Sequence, residues 1–191
     1  MTGPGAKRVG VLASGSGSNF QALIDAGVKI AVLICNVPGA KVVERAKAAG
    51  VEAVVLDHKS FGSREAYDEA LIGELNKRQV QLVCLAGFMR LLTPKFLAAF
   101  PQAVINVHPS LLPAFPGVHS AKQALDRGVK ITGCTVHLVD EGTDTGPIIA
   151  QAAVPVLEGD DEATLQARIQ VEEHRLFPAT VIALAQGKIA R

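Results

Sequence analysis

Residues 9–19 read Val-Gly-Val-Leu-Ala-Ser-Gly-Ser-Gly-Ser-Asn. An apolar run, a turn of alternating glycine and serine, and a polar start to an amphipathic segment predict a strand, a tight loop and a helix in succession. Backbone N–H groups at the start of such a helix favour an anion, and glycine lets the backbone approach it closely. The stretch therefore predicts a phosphate-binding loop; the alternative is a tight turn in which Ser18 or Asn19 only caps the helix.

Other well-known loops do not fit this stretch. It lacks the Gly-Lys-Ser/Thr ending of nucleoside-triphosphate loops, and Phe20 occupies the place of the third glycine in a dinucleotide fingerprint. The triplet Gly15-Ser16-Gly17 superficially suggests a serine hydrolase, but the Gly-x-Ser-x-Gly elbow is absent. The expected ligand group is a phosphate on a small molecule.

Beyond this stretch, strand-like and helix-like segments alternate. Short apolar runs rich in β-branched residues predict strands at 9–13, 29–35, 51–56, 81–86 and 103–107, and amphipathic spacing predicts helices at 19–26, 41–49 and 64–77. Alternation of this kind is typical of an α/β fold with a mostly parallel sheet, right-handed crossovers and helices on both faces. Ligands of such sheets bind beyond the carboxyl ends of the strands.

The second half of the chain departs from this regular alternation of strands and helices. Prolines crowd residues 109–117, which predicts a shaped loop before a helix at 120–127. Two β-like runs at 130–139 and 148–156, separated by a glycine-rich loop, predict a hairpin at the sheet. Residues 161–186 predict one long helix, which Pro178 is expected to kink.

Size and composition indicate one globular domain with a small-molecule partner. A chain of 191 residues with 49% hydrophobic and 19% charged residues buries about two-thirds of its surface, so we expect a single domain over residues 1–191, with 1–7 flexible. The net charge of +1 indicates neither nucleic acid nor membrane as partner. The polar N-terminus and the lack of an apolar stretch of about 18 residues predict a cytoplasmic protein. Both a monomer and a homodimer fit the sequence.

Candidate catalytic residues lie at the end of the fifth predicted strand. Strand alternation places Asn106 and His108 on one face where the strand stops. An imidazole and a carboxamide at a ligand edge suit the addition of a nucleophile to a carbonyl carbon, because both donate to a developing oxyanion. Asp144, in the glycine-rich loop, is expected to orient the imidazole and raise its pKa, with Asp140 and Glu141 as competitors for that role.

Other polar residues give weaker signals. Glu173 falls on the apolar face of the long helix and needs either a protein cation or a ligand hydroxyl or amine. The apolar segment 85–92 would wall a flat aromatic ligand or simply pack in the core. The remaining histidines, His58, His119, His137 and His174, show no metal-ligand spacing and are expected to be surface or packed residues. The widely spaced Cys35, Cys84 and Cys134 are expected to be buried, reduced thiols.

Four of these stretches together resemble the phosphoribosylglycinamide formyltransferases, folate-dependent enzymes of de novo purine synthesis, in family order and over nearly the whole chain. They are residues 13–19, 86–90, 106–113 and 144–147. The resemblance implies the Rossmann-like formyltransferase fold and transfer of the formyl group of 10-formyltetrahydrofolate to the amine of N1-(5-phospho-D-ribosyl)glycinamide. It also implies that neither a metal nor a covalent enzyme intermediate is needed.

The resemblance also assigns roles to residues. Asn106, His108 and Asp144 would be catalytic, with His108 and Asn106 stabilising the oxyanion and Asp144 supporting the imidazolium and a proton relay through water. The phosphoribosylglycinamide would be bound by Gly17, Ser18, Asn19 and Glu173. The folate would be bound by Arg64, Met89, Arg90, Leu91, Leu92, Asn106, Val139 and Asp140.

Three other functions are weighed against this one. Methionyl-tRNA formyltransferases share the third stretch but usually add a C-terminal RNA-binding domain. Formyltetrahydrofolate hydrolases would have no use for the phosphate loop and usually carry a regulatory domain. In a non-enzymatic nucleotide-binding module, the Asn106, His108 and Asp144 side chains would be incidental.

Overall fold

The computed structural model describes residues 5–188, which form one seven-stranded sheet covered by helices. The strands are β1 (Val9–Ala13), β2 (Ile30–Cys35), β3 (Ala53–Val55), β4 (Leu82–Leu85), β5 (Val104–His108), β6 (Ile131–Leu138) and β7 (Ile148–Pro155). Their order is β3-β2-β1-β4-β5-β6-β7. The first five strands are parallel, and β6 and β7 are antiparallel to their neighbours. The predicted α/β class and the hairpin are confirmed.

Six α-helices and one short 3-10 turn complete the described chain. They are α1 (Ser18–Asp25), α2 (Lys41–Ala48), α3 (Arg64–Lys77), α4 (Pro94–Ala99), α5 (Ser120–Arg127) and α6 (Glu162–Ala185), with the 3-10 turn at His58–Ser60. Five of the helices lie where the sequence predicts them, within two residues at each end. The sequence analysis missed α4, although Thr93 caps it through a hydrogen bond from the Phe96 amide and Pro94 opens its first turn, both standard start signals.

Alternation along the strands sends side chains to two helical layers. Val11 and Leu33 pack on one face against α1, α2 and α6, while Leu12 and Ile34 pack on the other against α3 and α4. A third cluster joins α5 and the first half of α6 to the β6–β7 hairpin. The three cysteines are buried free thiols. Each face of the sheet is therefore covered, as a central parallel sheet requires.

Two sequence expectations concern the ends of the chain. Of residues 1–7, expected to be flexible, residues 1–4 lie outside the described residues, while the Lys7 backbone N–H donates to the Ala185 carbonyl at 2.9 Å. Pro178 lies inside α6, and the helix continues through it to Ala185. Within residues 5–188, no helix is both long and apolar enough to cross a membrane.

The sheet order places a cleft where the chain reverses direction across the sheet. Strands β1 and β4 are neighbours, but the helices that follow them, α1 and α4, pack on opposite faces. The loops leaving these two strands consequently separate, and the crevice between them is where open α/β sheets bind ligands. The segments 14–19 and 86–92 both begin at this point.

Two glycine substitutions should have opposite effects on stability. A Cβ on Gly133 in β6 would lie 1.9 Å from the Ala152 carbonyl oxygen of β7, so Gly133→Ala should lower the free energy of unfolding by about 1–3 kcal/mol. A Cβ on Gly73 in α3 meets nothing within 4 Å, so Gly73→Ala should raise it by about 0.5–1 kcal/mol. Urea unfolding of both variants measures these changes in the free energy of unfolding. A Gly133→Ala protein as stable as the parent protein would contradict the hairpin packing described above.

Candidate active site

The glycine loop after β1 is held in place by α2. Gly17 has a φ of 73°, which favours glycine, and a Cβ there would lie 2.5 Å from the Val42 side chain. The Val42 N–H donates to the Gly15 carbonyl at 3.1 Å, and Arg45 Nε donates to the Ser16 carbonyl at 2.8 Å. The loop lines a cleft together with residues of the segment after β4, namely Ala86, Gly87 and Met89. We call this cleft the glycine-loop cleft.

Ser18 and Asn19 do not cap α1. The residue before the helix is Gly17, and no side chain makes the capping hydrogen bond, so the alternative reading of these residues is wrong. Instead both contact α6, because Gln170 Nε2 donates to Ser18 Oγ at 2.9 Å and Asn19 Nδ2 donates to Glu173 Oε2 at 3.1 Å. The loop and the long helix therefore form one unit.

Glu173 is a buried carboxylate beside this cleft. Glu173 is only 4% exposed to solvent. Burial raises the pKa of its carboxyl group, and the hydrogen bond from Asn19 opposes that rise. The amide oxygen of Asn19 is also buried and has no hydrogen-bond partner in the described part of the chain. No protein cation pairs with Glu173 among residues 5–188. A carboxylate and an orphaned amide oxygen are suited to accept hydrogen bonds from ligand hydroxyl or amine groups.

The second group of polar residues surrounds Asp144. His108 Nδ1 lies 3.3 Å from Asp144 Oδ2, and His137 Nε2 lies 3.6 Å from Asp144 Oδ1. Asn106 Nδ2 lies 3.2 Å from His137 Nε2. Asn106 and His137 are paired across β5 and β6, so the antiparallel register itself brings them together. The structure thus unites Asn106, His108 and Asp144 in one cluster.

His108 is buried, at 4% exposure, and it contacts protein atoms through both ring nitrogens. Its Nε2 lies 2.9 Å from the Phe115 carbonyl and 3.1 Å from Ser120 Oγ. Burial lowers the pKa of His108, while the Phe115 carbonyl and Asp144 act in the opposite direction. Asp144 therefore acts on the pKa of the imidazole in the expected direction, but loss of hydration outweighs the carboxylate and the net shift is downward. The ring is therefore neutral at neutral pH.

Asp144 remains ionised in this setting. Burial alone would raise its pKa, but contact with His137, the hydrogen bond from the Gly117 N–H at 2.8 Å and the proximity of His108 hold the pKa below its usual value. Its competitors face elsewhere, since Asp140 accepts from Thr145 Oγ1 at 2.8 Å and Glu141 is exposed. Asp144 is the acid that contacts His108.

A second cleft opens beside this cluster, and we call it the β5–β6 cleft. Its walls come from the segment after β4, from β5 and β6, and from the loop that follows β6: Leu85, Phe88, Arg90, Leu91, Leu92, Asn106, His137, Val139, Asp140, Glu141, Gly142, Thr143 and Asp144. Six of the eight residues predicted to bind folate are among them. Of the other two, Arg64 donates from Nη2 to the Leu91 carbonyl at 3.0 Å, and Met89 faces the glycine-loop cleft.

The histidines outside the predicted trio differ in surroundings. His119 is exposed and lies 3.0 Å from Glu162, and His58 and His174 are partly buried. His137 is buried as expected for a packed residue, but sequence reasoning missed its place in the cluster around Asp144. The available signal was strand alternation, which puts His137 on the same face of β6 as Thr135, opposite Asn106 and His108. Among residues 5–188, no group of three His, Cys, Asp or Glu side chains is arranged to hold a metal.

Comparisons with known proteins match most of the chain. The family model described as formyl transferase matches residues 7–181. The chain is 44% identical to phosphoribosylglycinamide formyltransferase of Bacillus subtilis, covering 92% of this chain and 93% of that protein. It is 52% identical to the trifunctional purine biosynthetic protein adenosine-3 of Drosophila pseudoobscura pseudoobscura, but spans only 14% of that protein's length. The crystal structure of glycinamide ribonucleotide transformylase 1 from Symbiobacterium toebii is 48% identical, with a TM-score of 0.96 and coverage of 99% of this chain and 92% of that one.

The raised pKa of Glu173 predicts a pH-dependent gain of stability on its neutralisation. A folded-state pKa above the unfolded value means that the carboxylate destabilises the fold as pH rises through the folded-state pKa. Glu173→Gln should therefore raise the free energy of unfolding at about pH 8, and the gain should shrink toward about pH 4. Urea unfolding at both pH values measures this. Glu172→Gln, which alters the less buried neighbouring carboxylate, is the matched control, and an equal gain at both pH values for Glu173→Gln would contradict the prediction.

Proposed function

The chain belongs to the formyl transferase family, and on that premise we propose that it carries out one step of de novo purine (IMP) biosynthesis. The reaction transfers the formyl group of 10-formyltetrahydrofolate to the amine of N1-(5-phospho-D-ribosyl)glycinamide and gives the N-formyl product and tetrahydrofolate. The observation that carries the proposal is the joint presence of the Asn106, His108 and Asp144 cluster and two clefts that share the segment 86–92.

The glycine-loop cleft has the features needed for the phosphorylated acceptor. Backbone N–H groups at the start of α1 would bind the phosphate, with Gly17 allowing close approach and Ser18 and Asn19 alongside. Glu173 and the unpartnered Asn19 amide oxygen would accept hydrogen bonds from the sugar hydroxyls or the glycinamide. These groups favour an acceptor that carries both a phosphate and hydroxyl or amine donors.

The β5–β6 cleft fits a flat donor. The buried side chains of Leu85, Phe88 and Leu92 form an apolar wall, and the polar loop 140–144 closes the opposite side. Apolar walls with a few polar groups that set orientation are typical of sites for small aromatic ligands. Arg64 and Arg90 add positive charge near the exposed end, which suits the carboxylates of a folate.

The proposed chemistry begins with attack of the neutral acceptor amine on the formyl carbon, which forms a C–N bond and converts the carbonyl oxygen to an oxyanion. Asn106 would donate its second amide hydrogen to that oxyanion, because the first is directed at His137. A proton leaves the attacking nitrogen, the folate N10 gains one, and the bond between N10 and the formyl carbon breaks as the carbonyl reforms. The atoms balance without a covalent enzyme intermediate.

His108 and Asp144 would handle charge and protons in this sequence. The contact of His108 Nδ1 with Asp144 is longer, at 3.3 Å, than that of Nε2 with Phe115, at 2.9 Å, so a substrate oxygen would replace the former at lower cost. Asp144 would stabilise the imidazolium once His108 is protonated, and would accept the amine proton through water. Asp144 is thus proposed as the proton relay and His108 as the oxyanion donor.

The remaining features of the proposal follow from these substrates. Both are small and soluble, so we propose a cytoplasmic enzyme that acts without nucleic acid or membrane, as a monomer or homodimer. We also propose that residues 1–191 form a single formyltransferase domain. The chemistry assigned above uses the chain's own side chains and no metal.

Acceptor-dependent turnover is the first prediction of this function. Purified protein should consume 10-formyltetrahydrofolate, followed by folate absorbance, only when N1-(5-phospho-D-ribosyl)glycinamide is present. Consumption without the acceptor would replace the proposal with a folate hydrolase, in which water attacks the formyl carbon. No consumption in either case would favour a binding module or another donor.

Removal of the Asp144 charge should affect turnover more than binding. Asp144→Asn should lower kcat by about 10²–10⁴-fold, because the proton relay and the support of the His108 imidazolium are lost. Acceptor affinity, measured by calorimetric titration, should change far less, since the acceptor phosphate lies at the glycine loop. Asp126→Asn, an exposed carboxylate on α5, is the control, and unchanged kcat in Asp144→Asn would remove Asp144 from the mechanism.

A further inference from the structure

Ser14 links the first strand to the segment that lies between the two clefts. Its backbone N–H donates to the Gly87 carbonyl at 3.0 Å, and its Oγ accepts from the Met89 N–H at 2.9 Å. The β1–β4 ladder ends at the pair Leu12 and Leu85. After this pair, three hydrogen bonds join the segment that follows β4 to the segment that follows β1. They are the two Ser14 contacts and the hydrogen bond from the Ala86 N–H to the Leu12 carbonyl.

A buried asparagine fixes the direction of the Ser14 hydroxyl. Because Met89 supplies a donor, the single hydroxyl hydrogen of Ser14 is free to donate to Asn36 Oδ1, at 2.6 Å. Asn36 is 2% exposed, and its Nδ2 faces His58 Nδ1 at 3.2 Å. The chain of contacts runs from Met89 through Ser14 and Asn36 to His58, and its first two links have a definite direction, since the Met89 N–H donates to Ser14 Oγ and Ser14 Oγ donates to Asn36 Oδ1.

Few other contacts hold the centre of the segment 86–92. Phe88 and Leu92 are buried, but Met89 and Leu91 between them are 71% and 60% exposed. On the side of the β5–β6 cleft, Arg64 donates a hydrogen bond to the Leu91 carbonyl. The Arg90 guanidinium carbon there lies 5.0 Å from the centroid of the Tyr67 ring. On the side of the glycine-loop cleft, the Met89 N–H donates a hydrogen bond to the Ser14 hydroxyl. Packing alone therefore does not fix the Met89 peptide.

We propose that Ser14 and Asn36 are positioning residues for formyl transfer. They act through the Met89 peptide, which contributes to the wall of the glycine-loop cleft while Arg90, Leu91 and Leu92 line the β5–β6 cleft. By setting the position of this shared wall, they set the distance between the attacking amine and the formyl carbon. This inference rests on the proposed function. It assigns to Ser14 and Asn36 an effect on reaction geometry beyond their contribution to the fold.

The test compares turnover with the position of the Met89 peptide. Ser14→Ala should lower kcat by about 10–100-fold, because small misplacements of reacting groups carry losses of that size, with much smaller changes in KM for either substrate. Ser14→Thr keeps the hydroxyl and should restore most of the lost kcat. Turnover is measured at a temperature at which circular dichroism shows every variant folded.

A double-mutant cycle separates positioning from general support of the fold. Since Asn36 acts through Ser14, Asn36→Ala should lower kcat in the parent protein but add little in the Ser14→Ala background. Additive losses would overturn the proposed chain, as would unchanged kcat in Ser14→Ala. If Asn36→Ala does not fold, Asn36→Asp retains the acceptor for Ser14 and should keep most of the activity.

Hydrogen exchange gives a readout that does not depend on the reaction. In Ser14→Ala, the Met89 amide should lose protection while the amides of β1 and β4 keep theirs. Unchanged protection would overturn the positioning role, and lost protection with full kcat would overturn its link to catalysis. A parent protein without acceptor-dependent turnover would refute the proposed function, and the exchange result would then report on the Met89 peptide alone.

Discussion

The partly buried Asp144 carboxylate makes the strongest demand on the rest of the site. A carboxylate that is largely removed from water needs polar groups around it, and here they come from separate parts of the chain: the Gly117 amide, which donates a hydrogen bond, and the imidazoles of His137 on β6 and His108 on β5. The proline-rich loop must bring Gly117 back over the sheet. The loop after β6 must fold onto β5, which brings Asp144 to His108. Much of the irregular structure in the second half of the chain serves this one contact.

The two clefts are built from different kinds of structure. The glycine-loop cleft uses backbone groups at a helix start and is supported from behind by α2 and α6, through Arg45, Gln170 and Glu173. The β5–β6 cleft uses strand side chains and a loop. Both depend on the sheet order, because only the separation of the chain after β1 and β4 leaves room for them next to each other. The antiparallel β6 then adds His137 opposite Asn106.

Most of the elements, and the placement of Asn106 and His108 on one face of a strand, could be predicted from the sequence, because they depend on local patterns. Periodicity locates the strands and five helices, and alternation places Asn106 and His108 together. The full set of contacts around Asp144 could not be predicted, because it depends on how loops fold in three dimensions. The role of His137 needs the β5–β6 register, and the choice of Asp144 over Asp140 and Glu141 needs the loop path. Sequence reasoning gave the direction in which Asp144 acts on the pKa of His108, but it could not give the burial of the ring, which here is the larger effect and lowers this pKa.

The direction of these pKa shifts bears on how the site handles charge. With the pKa of His108 lowered and that of Asp144 lowered, the pair at neutral pH is a neutral imidazole beside a carboxylate and carries a net negative charge. In the proposed reaction, that charge would oppose the oxyanion but favour the positive charge that develops on an attacking amine. The oxyanion would therefore rely first on the uncharged Asn106 amide, and an imidazolium would become favourable only after a proton had entered the pair. If His108 were permanently protonated, this order of proton transfers would be lost. The charge of Asp144 would already be paired with the imidazolium, and Asp144 would be a weaker acceptor for the amine proton. On the proposed mechanism, burial of His108 would thus preserve the basicity of Asp144 until the amine has begun to react.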